Sequence, residues 1–443
     1  MFRIASTLKL VAAAALASAA MLLATGAAFA AQGGAPGAPS DSPNADKAGQ
    51  KDAGTGPQAE LTKKQEKLIA VAQKLAEKGK ANGSDFAGVS IDPDTGTVDL
   101  FRKDKSKGSG LDSVPAGVTV DVHAAKFSKK EMLDAAAQIT DDSKTFGQQQ
   151  HLGIAAVGPS LDGSGVVVTV VSSDAADLDK ASKALKGKYG AIVADVHGSD
   201  KKTSDSDLFF TGFRFNDYAP WYGGDRIANS SLSCSTGFAA TYNGLPAMLT
   251  AAHCGGVGTS FWNGPTSANG WNFMGNITYS NSATDVASIQ VSSYSTYINV
   301  GSNPQAPTQL NVTSWQSPVV GQYLCQSGSF TGEVCGLRVV DTGQYVCLTK
   351  VLWWCTSWQG PIADVINYLG PSYYSAGHGD SGGPVYLRMG SYGIAEGLVH
   401  AVLSPNAAAN YPAYGGDTMS CPSPEGWSQR CSAGFSFVHM PGY

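Results

Sequence analysis

All eight cysteines and all eight tryptophans of this chain lie beyond residue 220, whereas Lys350 is the only lysine beyond residue 202. A Lys-rich stretch without Cys or Trp is thus followed by one nearly without lysine. Two separately built units meet near residues 203–222. The length of 443 residues agrees, since it exceeds one ordinary domain and leaves room for a large buried core. From Leu208 onward Gly, Ser, Thr, Tyr and Val dominate, in short apolar alternations broken by frequent turns. That pattern predicts an all-β domain over residues 208–443.

The start of the chain reads as an export signal. Arg3 and Lys9 precede an apolar stretch from Leu10 to Ala30 that ends in Ala28-Phe29-Ala30. A positive lead, a hydrophobic segment and an Ala-x-Ala end predict a cleaved signal peptide over residues 1–30. The small residues favour cleavage over a lasting anchor, so no stable membrane insertion is expected and the product is secreted and extracellular. Residues 31–59 hold no large apolar side chain. Such a segment cannot offset its ordering entropy and is expected to be a disordered linker. The formal charge of −5 gives no reason to expect a nucleic-acid partner.

Residues 60–207 read as a small α+β unit. Leu61, Leu68, Ile69, Val71, Ala72, Leu75 and Ala76 form a helical stripe among charges. Gly88 to Phe101 reads as two strands around Asp94-Thr95-Gly96, and Val118 to Val122 as a third. Ser128 with Glu131 three residues on is a capping-box signature. The order then partly recurs: strands at 153–157 and 165–171 around Leu161-Asp162-Gly163, a helix from Asp174 to Lys188, and a strand at 191–196. A duplicated strand–strand–helix module is expected.

The chemistry lies in the other half, in two strings: Thr250-Ala251-Ala252-His253-Cys254 and Gly379-Asp380-Ser381-Gly382-Gly383-Pro384. A serine hydroxyl is a poor nucleophile at neutral pH. It needs a neutral imidazole to take its proton and a carboxylate to orient that imidazole. Glycines around a serine let the backbone turn sharply enough to aim N–H groups at a tetrahedral oxyanion. Ser381 is therefore the candidate nucleophile and His253 its base. Setting Asp380 aside, the acids between them are Asp285, Glu333, Asp341 and Asp364. Asp285 opens Asp285-Val286-Ala287-Ser288-Ile289-Gln290-Val291, an alternating half-buried strand, and is the third candidate. Glu333 and Asp341 read as turn or loop residues. Asp364 is the remaining rival.

Both strings resemble those of the chymotrypsin-fold serine peptidases, and Tyr222-Gly223-Gly224-Asp225-Arg226-Ile227 resembles the early mature sequence of the bacterial streptogrisins. The resemblance spans roughly residues 222–440. It implies two packed six-stranded β-barrels, a His253–Asp285–Ser381 triad and an oxyanion hole built from the Gly379 and Ser381 N–H groups. It also implies hydrolysis of peptide or protein substrates by a monomer that needs no cofactor. The cysteines fall as neighbours in sequence: Cys234 with Cys254, Cys325 with Cys335, Cys347 with Cys355, and Cys421 with Cys431. Eight cysteines can pair in 105 ways, but the resemblance supports the first pair at the histidine and the second in the hairpin of the streptogrisins and alpha-lytic protease. No Cys-x-x-Cys spacing suggests zinc, and no metal is expected. The same group carries pro-regions that assist folding and then inhibit, which implies that role for residues 60–207 and a zymogen for the whole.

One departure stands out. In the family the aspartate before the nucleophile, here Asp380, is buried against a cation, and the bacterial group supplies an arginine where this chain has Gln326. Arg338, Arg226 or a new N-terminal amine are expected to substitute. At the substrate pocket Ser375 stands where trypsin-like members place an aspartate, which argues against Lys or Arg substrates. Val402 is expected to narrow the entrance, and His400 or His378 could favour acidic residues. Small or medium uncharged side chains are the expected preference. A catalytically silent secreted relative that binds partners is the alternative. An esterase of the α/β-hydrolase type is excluded because its order is Ser, acid, His.

Overall fold

A computed structural model describes residues 57–81, 83–199, 214, 216–264, 272–302, 307–351, 354–422 and 428–439. The expected signal peptide and most of the expected 31–59 linker lie outside these residues, as does the polar segment 201–207. Helix α1 runs Pro57–Ala81, so it begins within the expected linker. Its Leu68, Ile69, Val71, Ala72 and Leu75 are buried. Among the described residues no helix is long and apolar enough to cross a membrane.

The Lys-rich unit holds two three-stranded arrangements of one pattern. Strands β1 (Phe86–Asp92) and β2 (Thr97–Arg102) form a hairpin, and β3 (Thr119–Ala124) adds in parallel to β2. Helix α2 follows over Lys129–Gln150, started by Ser128, whose hydroxyl accepts from the Glu131 N–H while Glu131 accepts from the Ser128 N–H. Strands β4 (Ile154–Pro159) and β5 (Val166–Val170) form the second hairpin, helix α3 spans Ala175–Tyr189, and β6 (Val193–Gly198) adds in parallel to β5. A hairpin with a parallel third strand thus occurs twice. The helix follows the third strand in the first copy and precedes it in the second.

The remaining strands build the β-domain. Its first part is a sheet of β8 (Arg226–Ala228), β9 (Ser233–Ser235), β10 (Ala239–Tyr242), β11 (Leu245–Ala251), β12 (Ser260–Asn263), β13 (Asn272–Asn281) and β14 (Val286–Gln290), after a short β7 (Trp221–Gly223). Its order is β10-β11-β14-β13-β12-β8-β9, seven strands where six were expected. Next come β15 (Tyr294–Val300), β16 (Thr308–Trp315), β17 (Tyr323–Gly328), β18 (Gly332–Val351), β19 (Trp354–Asn367), β20 (Ala376–Gly377), β21 (Pro384–Met389), β22 (Tyr392–Val402), β23 (Met419–Pro422), β24 (Ser428–Ser432) and β25 (Gly434–His439). Six of these close on themselves: β17, β18, β19, β25, β22 and β21 pair in a ring that returns to β17. Phe238, Leu249 and Val286 of the first part share a buried cluster with Tyr386 and Leu398 of the ring, so the two parts pack face to face.

Glu333 and Asp341, read as loop residues, both lie in β18. Register shifts along β18 admit the turn-like residues around Asp341 without ending the strand. Glu333 is buried and paired with Arg388 and the Tyr386 hydroxyl. Its charge is answered inside the ring rather than by solvent.

The Lys-rich unit is joined to the ring by sheet and side chain. Strand β4 pairs antiparallel with β18 at Val157–Tyr345 and Ala156–Val346. Gln65 of α1 donates to the Tyr323 carbonyl at 2.8 Å and accepts from the Tyr323 N–H at 2.6 Å, taking the place of a strand neighbour for β17. The Ile91 N–H donates to the Val320 carbonyl at 2.9 Å. The buried face of α1 joins the cluster that contains Leu324, Val339, Val365 and Phe437 of the ring.

Candidate active site

Antiparallel pairing of β11 with β14 brings His253 and Asp285 together. The ladder ends at Ala251 opposite Val286, so the residue two beyond one strand meets the residue just before the other. His253 sits in a single 3-10 turn, Ala252–Cys254, and Asp285 takes the left-handed conformation at φ 50°. That conformation is uncommon outside glycine and is tolerated best by Asn and Asp. The Ala252 N–H donates to the Asp285 carbonyl at 3.1 Å and fastens the corner.

The Asp285 side chain is fully buried. Its Oδ1 accepts from the His253 backbone N–H at 2.9 Å, and its Oδ2 lies 2.8 Å from His253 Nδ1. Burial alone would raise the Asp285 pKa. The His253 and His400 imidazoles outweigh it and hold the carboxyl well below its usual range. An ionised carboxylate can only accept, so His253 carries its proton on Nδ1 and presents the Nε2 lone pair. That is the tautomer a general base needs.

Ser381 lies on a glycine turn pressed against this corner. Gly382, at φ 81°, packs so closely that a Cβ would sit 2.3 Å from Thr250 Oγ1 and 2.6 Å from the Ser235 carbonyl. Gly379, at φ 91°, would drive a Cβ 2.2 Å from the Phe330 ring. No other residue type fits either place. Ser235, unremarked in the sequence, clamps the turn. Its N–H donates to the Ser381 carbonyl at 2.8 Å and its hydroxyl donates to the Gly379 carbonyl at 2.9 Å. Because Cys234 is bridged to Cys254, the clamp and the histidine turn are covalently joined. The Asp380 carbonyl accepts from Gly383 N–H at 2.8 Å, so the Ser381 N–H of the same peptide plane points the opposite way. Among the described residues neither the Ser381 nor the Gly379 N–H is spent on another hydrogen bond.

Among the described residues the hydrogen bonds to the Asp380 carboxyl come from neutral donors, and the buried Arg214 guanidinium acts on it electrostatically. The N–H groups of Phe330 and Thr331 donate to Oδ1 at 3.0 and 3.1 Å, and the Thr331 hydroxyl and Gly377 N–H donate to Oδ2 at 2.6 and 2.8 Å. Burial raises the carboxyl's pKa, and these donors offset only part of the rise. Gln326 takes part at one remove, donating to Thr331 Oγ1 at 2.8 Å and to the Ser375 carbonyl at 3.0 Å. Of the expected substitutes, Arg226 lies over the Phe330 ring at 3.6 Å. Arg214, outside that set, is buried and donates to the carbonyls of Gly224, Ser327 and Gly328.

The other candidates are placed as follows. Ser375 is buried, and its hydroxyl donates to the Ala433 carbonyl at 2.6 Å. Val402 ends β22 opposite Phe435. His378 Nε2 lies 3.1 Å from Asp417, a hydrogen bond that raises its pKa against the effect of burial. His400 was expected to face substrate. It is buried instead, its Nδ1 2.7 Å from Asp285 Oδ2. Asp364 is bonded to serines: its carboxyl accepts from the Ser404 hydroxyl at 2.7 Å and the Ser436 hydroxyl at 2.5 Å. The cysteines are joined as 234–254, 325–335, 347–355 and 421–431. His253, Asp285 and His400 present ligand-type atoms within 4.8 Å of one another, but their spacing is that of hydrogen bonds through imidazole N–H groups.

No protein-family model matches the chain, and no curated protein matches it. Among solved structures it is similar to protease A of Thermobifida fusca, at 18% identity, covering 49% of this chain and 90% of that one with a TM-score of 0.33. A Nocardiopsis protease is similar at 21% identity, covering 49% and 91% with a TM-score of 0.33. A glutamic-acid-specific serine protease described as using a histidine triad in substrate binding is similar at 21% identity, covering 50% and 92% with a TM-score of 0.34.

Proposed function

We propose that this chain is the precursor of a secreted serine endopeptidase that cuts peptide bonds through an acyl-enzyme. The observation that carries the reading is the grip of Asp285 on His253 through both Nδ1 and the backbone N–H, beside a serine turn clamped by Ser235. In the reaction Ser381 Oγ attacks the substrate carbonyl while His253 Nε2 takes its proton. The imidazolium is held by Asp285 and then returns the proton to the leaving amine. The Gly379 and Ser381 N–H groups receive the oxyanion. Water repeats the sequence to release the acyl group.

The pocket favours small or medium uncharged side chains. Ser375 brings no charge, and its hydroxyl is already engaged. An unpaired cation drawn into a closed pocket would cost on the order of several kcal/mol. Residues 60–207 act as the pro-region. The support is the shared β4–β18 sheet and the Gln65 bonds, by which this unit supplies neighbours to strands of the ring. Maturation removes residues up to a point within 203–222.

Peptide hydrolysis by the processed protein tests the reading. Ser381→Ala and His253→Ala should each lower kcat by roughly 10⁴–10⁶-fold. A peptide library should show Ala, Val or Leu before the cut bond preferred over Lys, Arg and Glu. Residual activity above a few per cent in a correctly processed Ser381→Ala protein would refute the mechanism. A dominant Lys or Arg preference would refute the pocket.

A further inference from the structure

Asp285 is held from two sides, and the reaction just described uses only one. His400 Nδ1 lies 2.7 Å from the same Oδ2 that meets His253 Nδ1 at 2.8 Å. His400 is 6% exposed and Asp285 fully buried, so no water competes for either partner. One carboxylate oxygen can accept from two imidazoles only if both present an N–H there. Both rings are therefore fixed in the Nδ1–H tautomer. Their centroids are 5.9 Å apart at 65°, edge to face.

The backbone is shaped for this contact. Along β22 and β25 the register runs Val399 opposite Phe437, then Ala401 opposite Ser436. His400 is thus the extra residue of a β-bulge, a device that re-aims a side chain out of the strand's alternation. Its neighbours are fixed, since the Gly382 N–H donates to the Val399 carbonyl at 2.8 Å and the Val399 N–H to the Gly383 carbonyl at 2.9 Å. The nucleophile turn and the aim of His400 are set by one short stretch of strand.

We propose that His400 is a positioning residue for the triad: its Nδ1–H pins the Asp285 carboxylate in the orientation that grips His253. With Oδ1 on the His253 N–H and Oδ2 shared by two rings, the carboxylate cannot rotate without breaking a hydrogen bond. Removing the His400 donor leaves Oδ2 with one hydrogen bond in place of two, so the carboxylate is held less firmly. The inference rests on the peptidase reading and concerns the same site.

The test uses the processed secreted protein with His400→Leu, which keeps bulk and loses the donor, and His400→Asn, whose amide can reach the same oxygen. A hydrogen bond to a charged group implies a loss of roughly 10–10²-fold in kcat for His400→Leu, with KM within about threefold. His400→Asn should recover most of that loss. A wild-type kcat in His400→Leu, a loss through KM alone, or an Asn variant as poor as the Leu variant overturns the proposal. Proton NMR of the wild-type protein decides independently of how the variants fold. Two low-field imidazole N–H resonances, both displaced by Asp285→Asn, are expected, and a single one overturns the role of His400. If the wild-type protein hydrolyses no peptide, the peptidase reading itself falls and takes this inference with it. If the wild type is active and His400→Leu equally so, only the role of His400 falls.

Discussion

Asp285 and Asp364 are both fully buried carboxylates, and their partners separate them. Asp285 faces two imidazoles and is held ionised, whereas Asp364 is pushed toward the neutral form by burial, against the pull of the Ser436 and Ser404 donors. Asp285→Asn should lower kcat by about 10⁴-fold by favouring the wrong imidazole tautomer. Asp364→Asn should leave kcat within about threefold, since serine hydroxyls can donate or accept as needed. Steady-state kinetics on both variants checks the assignment, and the reverse pattern would move the triad acid to Asp364.

Glu396 gives the pH dependence of stability a definite sign. Burial pushes its pKa up to about 8, against the hydrogen bond from Gln316. The folded state therefore holds a proton that the unfolded chain releases near 4.5. The resulting stability is complete below that unfolded value and is lost as pH rises through about 8. Glu396→Gln, in a Ser381→Ala background to stop self-digestion, should match its parent at pH 5 and exceed it at pH 9. At roughly 1.4 kcal/mol per pKa unit the gap is on the order of a few kcal/mol. Urea unfolding at the two pH values checks it; an equal difference at both would contradict the buried carboxyl.

Among single residues the meeting of His253 with Asp285 and the sharp turn at Ser381 were legible because their strings have demanding local geometry: two glycines at positive φ, a 3-10 turn, and the head of an alternating strand. Asp380 and His400 were not. The expectation of a cation for Asp380 followed from its charge, whereas three of its four neutral donors come from Phe330 and Thr331, about fifty residues away, and the fourth from nearby Gly377. His400 turns inward because of a bulge, and a one-residue slip in pairing leaves no trace in composition.

At the scale of elements the joint between the two units rests on α1 and β4. Gln65 is buried and spends both ends of its amide on the Tyr323 backbone. Gln65→Ala removes both bonds and leaves a buried N–H and carbonyl of β17 unsatisfied. In the Ser381→Ala precursor this should cost about 1–3 kcal/mol, measured as a shift of the urea midpoint. An unchanged midpoint would mean that α1 contributes nothing to the joined unit. The stripe of α1 and the Ser128 cap were readable from periodicity and capping chemistry. The partner of that stripe was not, because a helical face says that it is buried and not what buries it. Strand β18 was misread around Glu333 and Asp341 because its register shifts place turn-like residues inside a strand.

At the scale of the molecule the compositional break was the most legible feature, yet it marks composition and not separation in space. The Lys-rich unit pairs with the Cys-rich ring through one continuous sheet. In the proposed precursor role this unit would lend strand neighbours to the ring while the ring folds. An all-β domain of non-local pairings folds slowly, which is the stage at which the proposed pro-region would act. The number of strands in the first sheet, seven rather than six, was beyond reach, since edge strands of three residues carry almost no periodicity.

Ser381, activated by His253 and Asp285, is the proposed nucleophile. Treatment of the secreted protein with a serine-directed phosphonate, followed by peptide mapping, tests it most directly. One adduct per chain is expected, on Ser381, in a protein that begins within 203–222, with labelling abolished in Ser381→Ala and nearly so in His253→Ala. A stoichiometric adduct on another residue, or none on a folded and processed chain, would contradict that role.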